Sequence, residues 1–317
     1  MGLTGLIWVL NLLQLIVRGV DKNRFRIRAN QVPSAPTTGP TVSVLIPARN
    51  EENNIGSCIH TVLSQHYKNL EVLVLDDFSE DNTLDRATRA IGNDTRARIL
   101  PGVSRPEGWM GKVWACHTLQ RHATGPWLLF IDADVRLNPE AIQQALHYAQ
   151  NHSPNGLSAF GRLTFGSFWE WVVQPVIGAL ILQNNDPKEI NDPGKKHKVM
   201  ANGQFILIAR ECYDAVGGHE RIQGEILDDV ALARQCKEHD RLIHMVYGRE
   251  LFSCRMYHSL SELWEGWTKN LFAGLHYNLS LAIAVCIGLF VIHLLPFLLF
   301  PVSLITAASP ADPFVVL

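Results

Sequence analysis

Short apolar runs alternate with amphipathic segments along residues 41–131 of the chain. The runs have the length of buried strands at four places: 41–48, 70–75, 98–100 and 127–131. Between them, apolar residues at helical spacing predict three helices: 55–63, 86–91 and 112–122. This alternation predicts an α/β fold with a Rossmann-like, mostly parallel sheet flanked by helices. Ligands of such sheets bind beyond the carboxyl ends of the strands.

The alternation weakens in the second half of the central region. There the pattern predicts an almost uncharged helical stretch over 168–182, a strand over 205–209 and a helix over 228–238. We therefore expect one domain over residues 41–258 with two halves, 41–150 and 151–258.

Both ends of the chain are strongly apolar. Residues 2–20 carry a single charge, Arg18, and no small-residue cleavage site, so we predict a retained membrane anchor over 1–20. Two polar residues within the run leave a buried or interfacial helix as the alternative. A basic, proline-rich linker over 21–40 follows, and its first part contains Lys22, Arg24, Arg26 and Arg28. Such positive charge beside a span predicts that the body of the protein faces the cytoplasm from the cell membrane.

Composition narrows the function classes. The 28 Lys and Arg residues nearly balance the 30 Asp and Glu residues, for a net charge of −2. This balance excludes a polybasic nucleic-acid binder and an acidic disordered tail as the main function. Six cysteines without a CxxC pair match neither a disulfide framework nor a zinc ribbon, so a reducing setting is expected.

Asp132 and Asp134 end the apolar run LLFIDAD at the ligand-binding edge of the predicted sheet. On an extended strand end, side chains at i and i+2 point to the same side, so both carboxylates can meet one hard divalent cation. Such a cation would be coordinated by these carboxylates and by oxygens of a bound diphosphate. A solvated strand end is the alternative.

Polar side chains also follow the first two predicted strands. Pro47, Arg49 and Glu51 close the first, and Asp76 and Asp77 close the second. These side chains are suited to contact a base and a ribose in one crevice. For the aspartate pair the alternative is turn formation, since the sequence FSEDN that follows is typical of a turn and a helix cap.

Two further motifs precede predicted helices. Lys112 follows a glycine-containing loop at a helix start, where backbone N–H groups and an ammonium can bind a phosphate. A solvated lysine is the alternative. Asp228 and Asp229 begin another helix, and both are catalytic candidates because one of them could act as a general base; this is Asp229 if Asp228 caps the helix. Neither the pair Cys254 and His258 nor the other histidines form a recognisable metal-binding pattern.

Four segments occur in one order along the chain: VSVLIPARNEENNI, LEVLVLDDFSEDNT, LLFIDAD and ILDDVAL. Together they resemble the inverting family-2 glycosyltransferases with a GT-A fold. The tract PEGWMGKVWACHTLQRHATGPWLLFIDAD is similar to bacterial members associated with carotenoid or hopanoid modification.

The resemblance implies a nucleotide-diphosphate sugar donor, with a UDP-sugar favoured. It implies Mg²⁺ or Mn²⁺ held through Asp132 and Asp134, with Asp132 also at the nucleotide-sugar, and Asp229 as the general base. It further implies base or ribose contacts from the residues that close the first two strands: Pro47, Arg49, Glu51, Asp76 and Asp77. Residues 41–150 would then be the nucleotide-sugar half and 151–258 the acceptor half.

The sequence departs from the family pattern at two places. The acidic pair is Asp228 and Asp229 where the family has Glu-Asp, and WEGWTKN stands where processive members have Q-x-x-R-W. Transfer of a single sugar to a lipid or terpenoid acceptor is therefore favoured over polymer synthesis. A polyprenyl-phosphate acceptor, a nucleotidyltransferase and a non-catalytic membrane scaffold stay open as alternatives.

Residues 259–278 predict an amphipathic helix at the membrane interface. Ser259 and Glu262 have the spacing of a capping box at its start. Trp264 and Trp267 lie on one helical face, as in an aromatic belt, and core packing is the alternative. We expect both tryptophans and Lys269 on the acceptor side of the site.

The last segment, 279–317, predicts a second membrane contact. It is apolar enough to span once, but two prolines and a histidine interrupt it and leave a re-entrant pair open: Pro296, Pro301 and His293. The sequence stops within hydrophobic residues at 314–317, which is compatible with a shortened chain.

Overall fold

The computed structural model describes residues 25–28, 37–153, 155–295 and 297–299. It divides into two compact units, one formed by residues 22–265 and the other by 1–21 together with 266–317. The predicted anchor over 1–20 and most of the linker lie outside the described residues.

The first unit is built on a seven-stranded sheet with the order β3-β2-β1-β4-β8-β6-β9, and a smaller sheet has the order β5-β10-β7. The strands are β1 Val42–Ala48, β2 Leu70–Asp76, β3 Ala97–Pro101, β4 Trp127–Ile131, β5 Val135–Leu137, β6 Gly156–Phe160, β7 Arg162–Leu163, β8 Phe205–Ala209, β9 His244–Tyr247 and β10 Phe252–Cys254. Strands β3, β2, β1 and β4 are parallel, and β8 runs antiparallel to both of its neighbours. The predicted α/β fold with a mostly parallel sheet is confirmed.

The helices of this unit connect consecutive strands. They are α1 Ile55–Leu63, α2 Thr83–Ile91, α3 Gly111–His122, α4 Ala141–His152, α5 Phe168–Asn184, α6 Pro187–Ile190, α7 Arg210–Ala215, a 3₁₀ helix Gly218–Ile222 and α8 Asp228–Glu238. Helix α9, Leu260–Gly274, begins in the first unit and continues into the second. The helices and strands predicted from the pattern are all present, with ends that differ by a few residues.

The large sheet separates two apolar layers, because successive side chains of a strand point to opposite faces. Along β1, Val44 and Ile46 join the layer formed with α1 and α4, and Leu45 joins the layer formed with α3, α7 and α8. Burial on both faces explains why β1, β2 and β4 appear as continuous apolar runs in the sequence.

The parallel register brings the carboxyl ends of the central strands to one edge. Val44 of β1 lies opposite Val72 of β2 and Leu129 of β4. The segments after β1, β2 and β4 therefore emerge side by side. This edge carries the polar clusters expected from the sequence.

The DAD segment is not extended as predicted. Strand β4 ends at Ile131, and residues 132–134 form a turn in which the Val135 amide donates to the Asp132 carbonyl at 3.2 Å. The rule that side chains at i and i+2 point to one side holds only within a strand. The two carboxylates consequently have different neighbours.

The described part of the second unit contains the end of α9, helix α10 Leu279–Leu289 and a π-helical turn Phe290–Leu294. Among the described residues, no single helix has both the length and the apolar composition of a membrane span. One pair, Leu260–Gly274 with Leu279–Ile292, meets these criteria jointly and is bent by 112°. The predicted C-terminal membrane segment thus stays a prediction.

Gly156 begins β6 with φ of +140°, and a Cβ atom there would lie 2.2 Å from the Leu207 carbonyl oxygen. We expect Gly156→Ala to lower the free energy of unfolding by about 3 kcal/mol, since backbone must shift in the middle of the sheet. A control is Gly178→Ala in α5, where a Cβ meets no atom within 4 Å. It should raise stability by up to about 1 kcal/mol. Equal denaturation midpoints for the two variants would contradict this account of the β6–β8 contact.

Candidate functional site

A cavity opens at the carboxyl edge of the large sheet, between α3, α8 and the central strands. Its lining combines charged groups with an apolar floor: Pro47, Lys112, Cys116, Phe130, Ile131, Asp132, Gly203, Ile206, His219, Asp228, Asp229 and Leu232. Five of the residues predicted from the sequence are among them, namely Pro47, Lys112, Asp132, Asp228 and Asp229. The structure thus brings together motifs that are up to 182 residues apart in the sequence (229 − 47).

Lys112 lies in the first turn of α3 and extends its ammonium toward two carboxylates. Its Nζ is 2.7 Å from Oδ1 of Asp132 and 3.9 Å from Oδ2 of Asp228. Desolvation alone lowers the pKa of Lys112, but the two carboxylates outweigh it and hold the pKa well above its usual value. The ammonium is therefore a permanent positive charge on the cavity wall.

Asp229 is held by backbone donors. The Gly203 amide donates to its Oδ2 at 2.8 Å, and the Val230 amide donates to its Oδ1 at 2.8 Å. Burial, with the neighbouring carboxylate of Asp228 as the second cause, raises the pKa of Asp229 to about 6. A fixed carboxylate with this pKa changes its protonation state close to neutral pH, as a general base does.

Asp228 does not cap α8. The helix begins at Asp228 itself, and Leu227 is the N-cap residue. The capping alternative is wrong because the carboxylate of Asp228 faces Lys112 across the cavity. Gly203 lies against the same group, since a Cβ there would be 3.2 Å from Nζ of Lys112.

Asp134 is half-buried beside Asp132, and only one of its carboxylate oxygens has a hydrogen-bond partner among the described residues. The Cys254 thiol donates to Oδ2 of Asp134 at 2.9 Å, and the side-chain amide of Gln204 donates to the Cys254 sulfur at 3.2 Å. Its Oδ1 has no hydrogen-bond partner among the described residues. Burial, together with the nearby Asp132, raises the pKa of Asp134 to about 7.

The pair Asp132 and Asp134 fits a hard divalent cation. Carboxylate oxygens are the ligands that Mg²⁺ and Mn²⁺ prefer, and a buried oxygen without a partner supplies one of them. A bound cation would also favour the ionised form of Asp134, which burial alone disfavours.

Glu51 follows β1 and Asp77 follows β2, at the same edge of the sheet as Asp132. Burial raises the pKa of Glu51; the hydrogen bond from Asn54 opposes this rise and Asp132 adds to it. Burial likewise raises the pKa of Asp77, and Arg49 opposes the rise. Oδ2 of Asp77 would lie 3.7 Å from a Cβ at Gly111, at the start of α3.

The loops that carry these residues are tied to one another by hydrogen bonds. The backbone amide of Asn50 donates to the Ser79 hydroxyl at 3.0 Å, and the backbone amide of Glu51 donates to the Thr83 hydroxyl at 2.7 Å. Asp76, at the end of β2, has a buried Oδ1 with no hydrogen-bond partner in the described part of the chain. The ends of β1 and β2 therefore form one polar rim, as predicted.

Sequence reasoning missed several residues of the cavity lining, among them His219, Cys116 and Gly203. The Tyr213 hydroxyl accepts a hydrogen bond from the His219 amide at 3.0 Å and lies 2.8 Å from its Nδ1. Burial lowers the pKa of His219 to about 3, so the imidazole is neutral.

Cys116, His219 and Asp228 each place one potential ligand atom within 4.8 Å of the others. The sequence spacing did not mark His219 as a member of such a group. Burial raises the pKa of the Cys116 thiol, which disfavours the thiolate form that binds metals. We assign these three residues to the cavity wall.

The acceptor-side residues are not among those that line the cavity. Trp264 is 72% exposed on α9. Half of the predicted capping box is present: the Ser259 hydroxyl accepts from the Glu262 backbone amide at 3.2 Å, while the Glu262 carboxylate accepts from the backbone amide of His258 at 2.8 Å. Trp267 and Lys269 belong to the second unit, and their acceptor role stays a prediction.

Comparisons with known proteins agree with this geometry. Residues 43–217 match the sequence model of the family described as Glycosyl transferase family 2. The chain is 29% identical over 242 residues to 4,4'-diaponeurosporenoate glycosyltransferase of Staphylococcus aureus strain USA300, a match that covers 74% of this chain and 61% of that protein. It thus spans about three-fifths of the length of the curated relatives it matches.

Among solved structures, the mannosyltransferase PcManGT of Pyrobaculum calidifontis, in complex with GDP-Man and Mn²⁺, has a TM-score of 0.58 and 18% identity. The match covers 83% of this chain and 70% of that one. At this identity the likeness concerns the fold.

Removal of the charge on Asp134 should weaken metal binding. We expect Asp134→Asn to reduce Mn²⁺ affinity by at least about tenfold, measured by calorimetric titration, because a ligand carboxylate becomes an amide. Asp85→Asn, on the exposed face of α2, is the control and should bind Mn²⁺ as the wild type does. Equal affinity in Asp134→Asn and the wild type would exclude Asp134 as a ligand.

Proposed function

The chain belongs to glycosyl transferase family 2, and on this premise we propose that it transfers one sugar from a UDP-sugar to a lipid or terpenoid acceptor with inversion. The observation that carries the proposal is the cavity itself, in which the Lys112 ammonium lies between Asp132 and Asp228, with Asp229 on the same wall. The named relative from Staphylococcus aureus supports a terpenoid acceptor.

The proposed reaction is a displacement at the anomeric carbon. Asp229 takes the proton of an acceptor hydroxyl, and the acceptor oxygen forms a bond to the anomeric carbon. The bond to the diphosphate breaks on the opposite face of the sugar, so the configuration inverts. Lys112 offsets negative charge on the departing nucleoside diphosphate.

Asp132 and Asp134 would hold Mg²⁺ or Mn²⁺. When bound, the cation neutralises charge on the diphosphate and acts as a Lewis acid. The contact from Cys254 keeps Oδ2 of Asp134 fixed, and this leaves Oδ1 available. Pro47, Arg49, Glu51, Asp76 and Asp77 would contact the base and ribose from the rim.

The proposal includes attachment to the cell membrane through residues 1–20 and 259–317, with the catalytic body on the cytoplasmic side. The apolar composition of both ends and the basic residues after the first one support it.

Reporter fusions at residue 30 should report the cytoplasmic side. A reporter on the opposite side would refute this topology.

The direct test of the function uses membranes that contain the protein, incubated with radiolabelled sugar nucleotides. We expect label in the extracted neutral lipid fraction and free nucleoside diphosphate as the second product. Pyrophosphate as product would indicate a nucleotidyltransferase, and label in polyprenyl phosphate would change the acceptor. No transfer and no nucleotide binding with Mn²⁺ present would indicate a scaffold.

Replacement of Asp229 distinguishes a hydroxyl acceptor from a carboxylate. The Staphylococcus aureus relative is named for a carboxylate, and an ionised carboxylate needs no general base. We expect a hydroxyl acceptor, so that Asp229→Asn lowers the transfer rate by about 10²-fold or more. A rate close to that of the wild type would refute the base role and indicate a carboxylate acceptor.

The pH dependence follows from the same group. Because the base acts when ionised and its pKa is raised to about 6, the wild-type rate should fall as the pH drops through 6. Asp228→Asn removes a neighbouring negative charge, so the acid limb should move to lower pH. The rate is measured between pH 4 and 9, a range wide enough to contain the ordinary carboxyl pKa of about 4. An unchanged limb in Asp228→Asn would contradict the assignment.

A further inference from the structure

Helix α5 exposes its apolar residues and buries its polar ones. Glu170 and Gln174, one turn apart, are 1% and 3% exposed. Five large apolar residues of the same helix are exposed instead: Phe168 70%, Trp169 45%, Trp171 64%, Val172 45% and Val176 58%. This arrangement is the reverse of a surface helix in water, which turns its apolar stripe toward the core.

The orientation of α5 is fixed by an ion pair between the buried Glu170 carboxylate and the half-buried Arg255. The Arg255 guanidinium donates to Oε1 of Glu170 at 2.8 Å and to Oε2 at 3.0 Å. The Gly166 and Ser167 amides donate to the same carboxylate, and Ser167 caps the helix. These contacts, with the hydrogen bond from Arg255 as the largest cause, lower the pKa of Glu170.

Rotation of α5 to bury its apolar face would separate Glu170 from Arg255. A carboxylate left buried without its counter-charge is strongly unfavourable, because it loses hydration without gaining a partner. Within α5 no charged residue other than Glu170 occurs. The outward face is thus held in place and is uncharged along its whole length.

We propose that this face of α5, formed by Phe168, Trp169, Trp171, Val172 and Val176, binds the surface of a lipid bilayer. Aromatic side chains at the first turn and aliphatic ones after it suit the boundary between headgroups and acyl chains. The proposal deepens the proposed function, because a hydrophobic acceptor would reach the acceptor half directly from the bilayer.

The path of the chain favours a bilayer over a second protein copy. Residues 25–28 add to the edge of β9, where the Ile27 amide donates to the Tyr247 carbonyl at 3.1 Å. The segment after α5 is held by the same strand, since Asn191 exchanges two hydrogen bonds with Met245, at 2.9 and 2.7 Å. The segment 25–28, which follows the predicted anchor in sequence, thus joins this unit at β9, the strand that also binds Asn191 beyond the end of α5 at Asn184.

The test uses the full chain with an environment-sensitive NBD label at Val176→Cys, in a Cys286→Ser background. The five other cysteines are buried, so the label is directed to one site. Val172→Cys provides a second position on the same face, in case one variant fails to fold. Thr88→Cys on the exposed face of α2 is the matched control. The proteins are reconstituted in vesicles of phosphatidylcholine and phosphatidylglycerol in equal amounts.

We expect the NBD emission at 176 and 172 to shift to the blue. When lipids with acyl-chain nitroxides are included, most of the emission intensity at these positions should be quenched. The label at 88 should keep its water-like emission. Water-like emission at 176 and 172 would overturn the proposal. A blue shift without quenching by the nitroxide lipids would also overturn it and indicate a protein partner.

The same labelled proteins are assayed for sugar transfer, which separates the two proposals. Water-like emission in an active enzyme refutes only the bilayer contact of α5. Quenched emission in a protein that transfers no sugar refutes only the proposed function.

Discussion

The ammonium of Lys112 lies among carboxylates that several elements bring to one edge of the sheet. Asp132 follows β4, and Asp228 and Asp229 begin α8. Carboxylates this close to one another cannot all stay ionised in a desolvated cavity unless cations compensate them. Lys112 compensates part of the charge. Desolvation, with the neighbouring carboxylate as the second cause, raises the pKa of Asp229 and of Asp134. A diphosphate that enters such a site would need further positive charge, which the proposed divalent cation would supply.

Much of this edge could be predicted from the sequence, because strands and their terminal motifs are local features. The strand ends after Ala48, Asp76 and Ile131 follow from apolar runs closed by polar residues. The contacts that fix the site could not be predicted, because they join residues far apart in sequence. Cys254 and Asp134 are 120 positions apart, and no local pattern marks that cysteine as the donor to that carboxylate. His219 and Gly203 were missed for the same reason, and the turn at 132–134 was missed because strand ends are poorly defined by periodicity.

The two halves of the domain differ in how their polar residues are used. Over residues 41–150, polar side chains gather at the open edge of the sheet, where a charged donor would arrive from water. Within residues 151–258, Glu170 and Gln174 of α5 are buried and five large apolar residues of that helix are exposed. If α5 contacts a bilayer as we propose, one part of the domain meets water and another meets lipid, which suits an enzyme that joins a sugar nucleotide to a hydrophobic molecule. The Glu170–Arg255 ion pair would then keep the apolar face of α5 turned outward.

The central claim is that Lys112 and a divalent cation together receive the diphosphate of the donor. Calorimetric titration of UDP, and of GDP for comparison, into the full chain with Mn²⁺ present tests it most directly. Lys112→Gln should weaken binding of the nucleotide that binds more tightly by at least about tenfold. Lys68→Gln, at an exposed position after α1, should leave it unchanged. Equal nucleotide affinity in Lys112→Gln and the wild type would contradict the claim.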